Sequence, residues 1–167
     1  MLFRSVELAT VLLGPSLPKQ EMEQLRKLAV DSADVFAGEM AWALLPAPQN
    51  QPPFALRYVA TIKDRQRFND VLDRSVKLMS GNTLMDLGKM FGFKMQFELT
   101  RNVETYKDVP IDAARVSFQP TDVNTQQGQM IQAMYGEGLD LRLAVVNNLL
   151  LYTLSADPAR DVHALID

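Results

Sequence analysis

The sequence predicts an α+β domain: an antiparallel sheet built from consecutive strand pairs, with helices packed on one face. Three observations predict it. Leu139–Val146 alternates Leu139, Leu141, Leu143 and Val145 with Asp140, Arg142, Ala144 and Val146, the period-two pattern of a half-buried strand. Asn147-Asn148 follows, and asparagine tolerates the positive φ of a two-residue hairpin turn. Strand-like runs come two at a time between helical stripes, which favours hairpins over βαβ crossovers.

The chain has 167 residues, 47% hydrophobic and 22% charged, with net charge −3. One domain spanning residues 1–167 is the default at this length. No dense Lys/Arg cluster occurs, so a nucleic-acid footprint has no support, and no basic helix face suits a membrane surface. No apolar run approaches the roughly 18 residues of a membrane span. Cysteine is absent, which removes disulfides, thiolate catalysis and Cys-based zinc sites.

In chain order, Leu2–Leu13 is ambiguous between helix and strand, and Gly14-Pro15 ends it. Glu7 interrupts that patch, which argues against a signal peptide. Pro18 opens a helix with Met22, Leu25, Leu28 and Ala29 on its apolar face, and Asp31–Gly38 reads as a connection. Glu39–Leu45 is strand-like, with Met40, Trp42 and Leu44 on one face. Pro46–Pro53 is a proline-rich hairpin loop. Phe54–Ile62 is the next strand. Asp64 then caps a helix to Met79, with the stripe Phe68, Val71, Leu72, Val76 and Met79.

Ser80-Gly81-Asn82 breaks the chain, and Asn82 can cap a second helix carrying Leu84, Leu87 and Phe91. Gly88 weakens that helix and Gly92 ends it. Phe93, Met95, Phe97 and Leu99 alternate with Lys94, Gln96, Glu98 and Thr100 in the cleanest strand of the chain. Tyr106–Pro110 is a turn. Ala114, Val116 and Phe118 then face inward on the following strand. A polar loop over Gln119–Thr125 leads to a short helix with Met130, Ile131 and Met134, which ends at Gly136. After the Leu139 hairpin, the run Leu149-Leu150-Leu151 is apolar on both faces and belongs inside the sheet. Asp157-Pro158 opens a final helix, Asp as N-cap and Pro at the first helical position, with Val162, Leu165 and Ile166 on one face.

Phe54–Met79 resembles the C-terminal unit. Setting Tyr58 on Tyr152 sets Thr61 on Ser155 and Phe68 on Val162. The alignment leaves an internal duplication open beside plain coincidence of patterning.

Chemistry-bearing patterns are sparse. His163 is the only histidine; it reads as an exposed residue off the apolar face of the last helix. No Walker loop, GxGxxG or EF-hand spacing is present, so no cofactor and no metal is expected. Asp70, Asp73 and Asp86 lie among basic neighbours, as in ordinary surface pairing. No nucleophile–base pair can be named, and the expectation is that the chain is not an enzyme. The methionines stand out: Met79, Met85, Met90 and Met95 fall near Phe91, Phe93 and Phe97. Methionine is adaptable and recurs at promiscuous apolar surfaces. Two readings follow: a plain core, or an apolar ligand groove lined by Met79, Met85, Met90, Phe91, Met95 and Phe97.

Tyr106-Lys107-Asp108-Val109, Ala144-Val145-Val146-Asn147-Asn148-Leu149-Leu150 and the helix from Pro158 carry a resemblance. Together they resemble repeated strand-hairpin/helix domains of large uncharacterised bacterial proteins, exported or lipid-anchored. Asp108 stands where that pattern has glycine. The likeness covers the C-terminal third and transfers no catalytic residue. It implies an envelope-associated or secreted protein with flanking domains. Leu165-Ile166 directly before the last residue gives the same expectation of a longer chain. The functional expectation is a non-enzymatic structural or interaction domain with a protein partner; the alternative is a carrier or sensor for an apolar small molecule, such as a lipid or peptide, in the Met/Phe groove. A carboxylate-based enzyme comes third.

Overall fold

The computed structural model describes residues 19–47, 52–81, 88, 92–136 and 138–167. Among them are four helices and six strands, in the order α1 (Lys19–Val35), β1 (Phe36–Pro46), β2 (Phe54–Ile62), α2 (Arg65–Met79), β3 (Phe93–Tyr106), β4 (Val109–Pro120), α3 (Gln126–Tyr135), β5 (Leu139–Val146), β6 (Leu149–Leu154) and α4 (Pro158–Ile166). The strands form one open antiparallel sheet of spatial order β1-β2-β6-β5-β4-β3. The fold is α+β, as expected. Each hairpin pairs internally, and the β5–β6 hairpin is inserted between the other two. The two-sided apolarity of Leu149–Leu151 is the signature of that central position.

Local chemistry explains the joints. Asn147 and Asn148 take φ 47° and 64°, and Lys107 and Asp108 take 48° and 62°, so both tight turns run through the left-handed region. Asparagine and aspartate enter that region more readily than other non-glycine residues. Asp108 therefore fits the turn at φ 62°. Asp64 accepts from the Arg67 amide at 2.6 Å, Thr125 from the Gly128 amide at 3.0 Å, and Asp157 from the Arg160 amide at 3.2 Å. Each cap satisfies an amide that the first helical turn leaves unbonded. Gly88 is buried, and a Cβ there would lie 2.8 Å from the Phe93 carbonyl oxygen. Close backbone approach is a reason for glycine at that position.

Two stretches differ from the sequence reading. Asp31–Val35 is helix, not connection. Val35 is fully buried; Asp31 pairs with Arg74 of α2 at 2.6 Å and Asp34 with Lys63, just before α2, at 2.9 Å. Tertiary contacts outweigh the weak helix propensity of this segment. In α3, Met130 and Met134 are exposed, and Tyr135 faces the sheet, its ring 4.4 Å from that of Phe118. Apart from Gly88, the helix expected after Asn82 lies outside the described residues, as do the segment Leu2–Leu13 and residues 48–51 of the proline-rich loop.

The core has two sides. On the front face, Ile62 and Leu150 pack with Val35 of α1 and with Phe68 and Val71 of α2. Farther along the same face, Ala114, Leu139, Leu141 and Leu154 meet Phe97, Leu99, Val116 and Tyr135. On the back face, Ile111, Ala144 and Leu151 pack with Val162 of α4. The placing of all helices on one face therefore needs correction: α1 and α2 share the front, and α4 covers the back.

The same fact bears on the duplication. Tyr58 and Tyr152 are direct partners across β2 and β6, with ring centroids 6.5 Å apart and planes at 88°. A local two-fold through that pair relates the two strands. Such an axis, perpendicular to the sheet, would keep both following helices on one face, and they lie on opposite faces. The helix opens seven residues after Tyr58 at Arg65 but six after Tyr152 at Pro158, and a one-residue offset along an extended chain switches sides. Internal duplication is not shown.

Candidate functional site

Of the six residues of the apolar groove reading, Met79, Met95 and Phe97 are described, and all three are half-buried. Met95 lies opposite Phe118 in the β3–β4 pairing, and Phe97 opposite Val116. Phe97 joins the front-face core. Met85, Met90 and Phe91 fall outside the described residues. A cleft of about 420 Å³ lies between α1 and α2. Its described lining includes Leu28 and Leu78 with Lys27, Arg74 and Lys77, and does not include Met79, Met95 or Phe97.

His163 is not the exposed residue the sequence suggested. It is half-buried and stacks on Tyr106, with centroids 4.1 Å apart and planes at 10°. Its Nε2 lies 3.4 Å from Glu104 Oε1. The Tyr106 hydroxyl donates to Asp167 at 3.0 Å, which together with burial holds the phenol above its usual range. Lys107, 2.7 Å away, is the main cause that lowers the Asp167 carboxyl, with the Tyr106 hydroxyl next. The group joins the β3–β4 turn to α4. No group of three or more His, Asp or Glu side chains that could hold a metal ion occurs among the described residues.

A second polar cluster ties α2 to the outer sheet. Arg101 reaches Asp112 at 2.6 Å and Asn69 at 3.2 Å, and also bonds Asp73. Burial disfavours its charge, but the bonds to Asp112 and Asp73 outweigh burial and hold the guanidinium above its ordinary range. Every member is partnered, so the cluster reads as a brace.

Among the described residues, the β1 edge is an exposed feature with no strand paired beyond it. The sheet formed by the described residues has two edges, β1 and β3. An edge strand offers a row of unpaired backbone groups, and native edges are usually blunted by charge, bulges or cover. The β3 edge is blunted: Lys94, Gln96 and Glu98 are exposed, and a bulge between Thr100 and Glu104 places Asn102 at φ 51°. On β1 the irregularity, with Gly38 at φ 98°, stands before Met40, and the register from Met40 to Pro46 is regular. Met40, Trp42 and Leu44 are 52%, 67% and 56% exposed. They share the front face with their partners Ala60, Tyr58 and Leu56.

The phase of the ladder says which β1 amides β2 leaves unbonded. The Ala47 N–H donates to the Pro53 carbonyl at 2.8 Å. Bonded and non-bonded pairs alternate along an antiparallel ladder, so Ala41, Ala43 and Leu45 turn their backbone groups to β2. Met40, Trp42 and Leu44 turn theirs outward. The same three residues thus present both the open backbone and the exposed side chains. The sequence showed that Met40, Trp42 and Leu44 share a face, but alternation does not say whether that face is covered.

No protein-family model, no curated protein and no solved structure matches the chain. Among the described residues, no helix is long and apolar enough to cross a membrane.

Proposed function

We propose that this chain is a non-enzymatic interaction domain that binds protein by strand addition at β1. The observation that supports the reading is the row Met40, Trp42 and Leu44, whose outward amides and exposed side chains coincide. In strand addition the backbone supplies affinity and alternate side chains supply specificity. The resemblance of the C-terminal third supports placing the domain in a bacterial envelope-associated or secreted protein with flanking domains. A photo-crosslinking residue at position 42, compared with one at position 98 near the other edge, tests the binding site in the source cells. A discrete protein adduct from position 42 only is expected; equal adducts from both positions would reject the edge.

A second reading, a carrier for an apolar ligand, draws on the α1–α2 cleft. Its volume of about 420 Å³ falls within the roughly 300–1,000 Å³ usual for small-molecule sites. Leucines flanked by Lys27, Arg74 and Lys77 suit an anionic amphiphile. Saturable binding of a long-chain fatty acid, lost in Leu78→Asp with the fold intact, is the outcome this reading requires.

A further inference from the structure

We propose that β1 pairs antiparallel with β1 of a second copy of this chain, joining two six-stranded sheets across a two-fold axis at Trp42. The proposal rests on the edge reading above and names the occupant.

Geometry sets the register. Only outward-facing residues can bond across a new edge, so Met40, Trp42 and Leu44 must oppose one another. With Trp42 opposite itself, Met40 falls opposite Leu44, and all three outward N–H groups find carbonyls. Pro46, which has no N–H, then falls opposite Gly38 at the bulge, where the regular ladder ends. Shifting the register two residues one way sets Pro46 against Met40, which leaves the Met40 carbonyl facing a residue with no N–H inside the regular ladder. Shifting it the other way draws the bulge into the ladder. The isologous contact closes on itself and leaves no β1 strand for further copies, as two-fold pairing requires.

Charge points to the same occupant. Glu39 is the one ionisable residue of β1. In the Trp42-centred register each Glu39 falls opposite Leu45 of the second copy, so no like charges meet. An apolar row needs an apolar row opposite it, and β1 supplies its own: Trp42 pairs with Trp42, flanked diagonally by Met40 and Leu44, within reach for large side chains. The β3 edge, with Lys94 and Glu98, offers no comparable row. The contact is one strand wide, below the size of stable interfaces, so a dissociation constant on the order of micromolar is expected.

Trp42 is the only tryptophan, which makes its emission a reporter of this contact alone. The purified chain is diluted from about 200 to about 1 μM and followed by sedimentation velocity and fluorescence, a range chosen to bracket micromolar association. The expected result is a dimer at the top of the range, with Trp42 emission moving to longer wavelength as it dissociates. Trp42→Lys and Leu44→Lys should be monomeric throughout, with unchanged far-UV circular dichroism. Should either variant misfold, amide exchange of the unaltered chain replaces it. The amides of Met40, Trp42 and Leu44 should be slower at high concentration, while those of Ala41 and Ala43 stay constant. A monomer at every concentration, with constant emission, overturns the proposal. In that monomer, fast exchange at Met40, Trp42 and Leu44 would leave the open edge standing, whereas slow exchange would sink both.

Discussion

Truncating Val162 tests whether α4 packs on the back of the sheet. Val162 is 0% exposed and sits against Ile111, Ala144 and Leu151. Val162→Ala removes two methyl-sized groups, worth about 0.8 kcal/mol each by transfer, or about 1.6 kcal/mol together. The surroundings are strands bonded on both sides, so the gap closes poorly and a cavity cost adds to this. A loss of about 2–3 kcal/mol is expected. Urea unfolding followed by far-UV circular dichroism measures it, with an unchanged m-value showing that the transition remains the same. Val30→Ala is the control: Val30 is 49% exposed on α1, and its loss should stay within about 0.5 kcal/mol. A Val162→Ala loss no larger than that of the control would mean that α4 does not bury its apolar face here.

Three further substitutions probe a helix cap, a strand register and a buried phenol. Asp64→Ala should cost about 0.5–2 kcal/mol, since its 2.6 Å cap bond is lost without replacement; Asp64→Asn should recover most of it, and equal losses would point away from capping. Phe97→Ala should cost about 2–3 kcal/mol, below the range for a fully buried phenylalanine because the ring is half-buried; Glu98→Ala beside it should be near neutral, and a reversal of that order would contradict the register. Burial pushes the Tyr152 phenol up to about 12 from 10.0. A raised folded-state value means stability is intact below pH 10 and falls as pH rises from about 10 to about 12, because the unfolded phenol ionises first. Tyr152→Phe should be little changed near neutrality and lose less stability over that alkaline window; identical alkaline profiles would exclude Tyr152 as the cause.

Much of the fold was legible because period, caps and turns are local signals. The alternation over Phe93–Thr100, the Asp64 and Asp157 caps and the Asn147-Asn148 turn each depend on residues a few positions apart. What was not legible depends on partners far along the chain. Asp31 and Asp34 became helical through Arg74 and Lys63, more than two dozen residues away. The side on which α4 packs turns on one residue of connection length. His163 looked solvent-facing because its partners, Tyr106 and Glu104, come from a different hairpin. The Met/Phe groove rested on proximity in sequence, and its described members, Met79, Met95 and Phe97, are placed by α2 and β3 independently. The β1 edge was missed because a pattern of alternation is the same whether the apolar side is covered or open.

The spatial order β1-β2-β6-β5-β4-β3 carries a consequence for how the chain is made. Synthesis delivers the two outer hairpins first and the middle one last. Until Leu139–Leu154 has emerged, β2 and β4 each keep a raw inner side, and no strand pairing joins the two halves. Assembly then waits on threading a late hairpin between two early ones, a long-range closure that costs chain entropy before it is rewarded. The two inner sides are the exposed hazard of that interval. A nascent chain stalled before Leu139 should therefore be protease-sensitive and chaperone-dependent, whereas release of the residues from Leu139 onward should protect both outer hairpins in a single step.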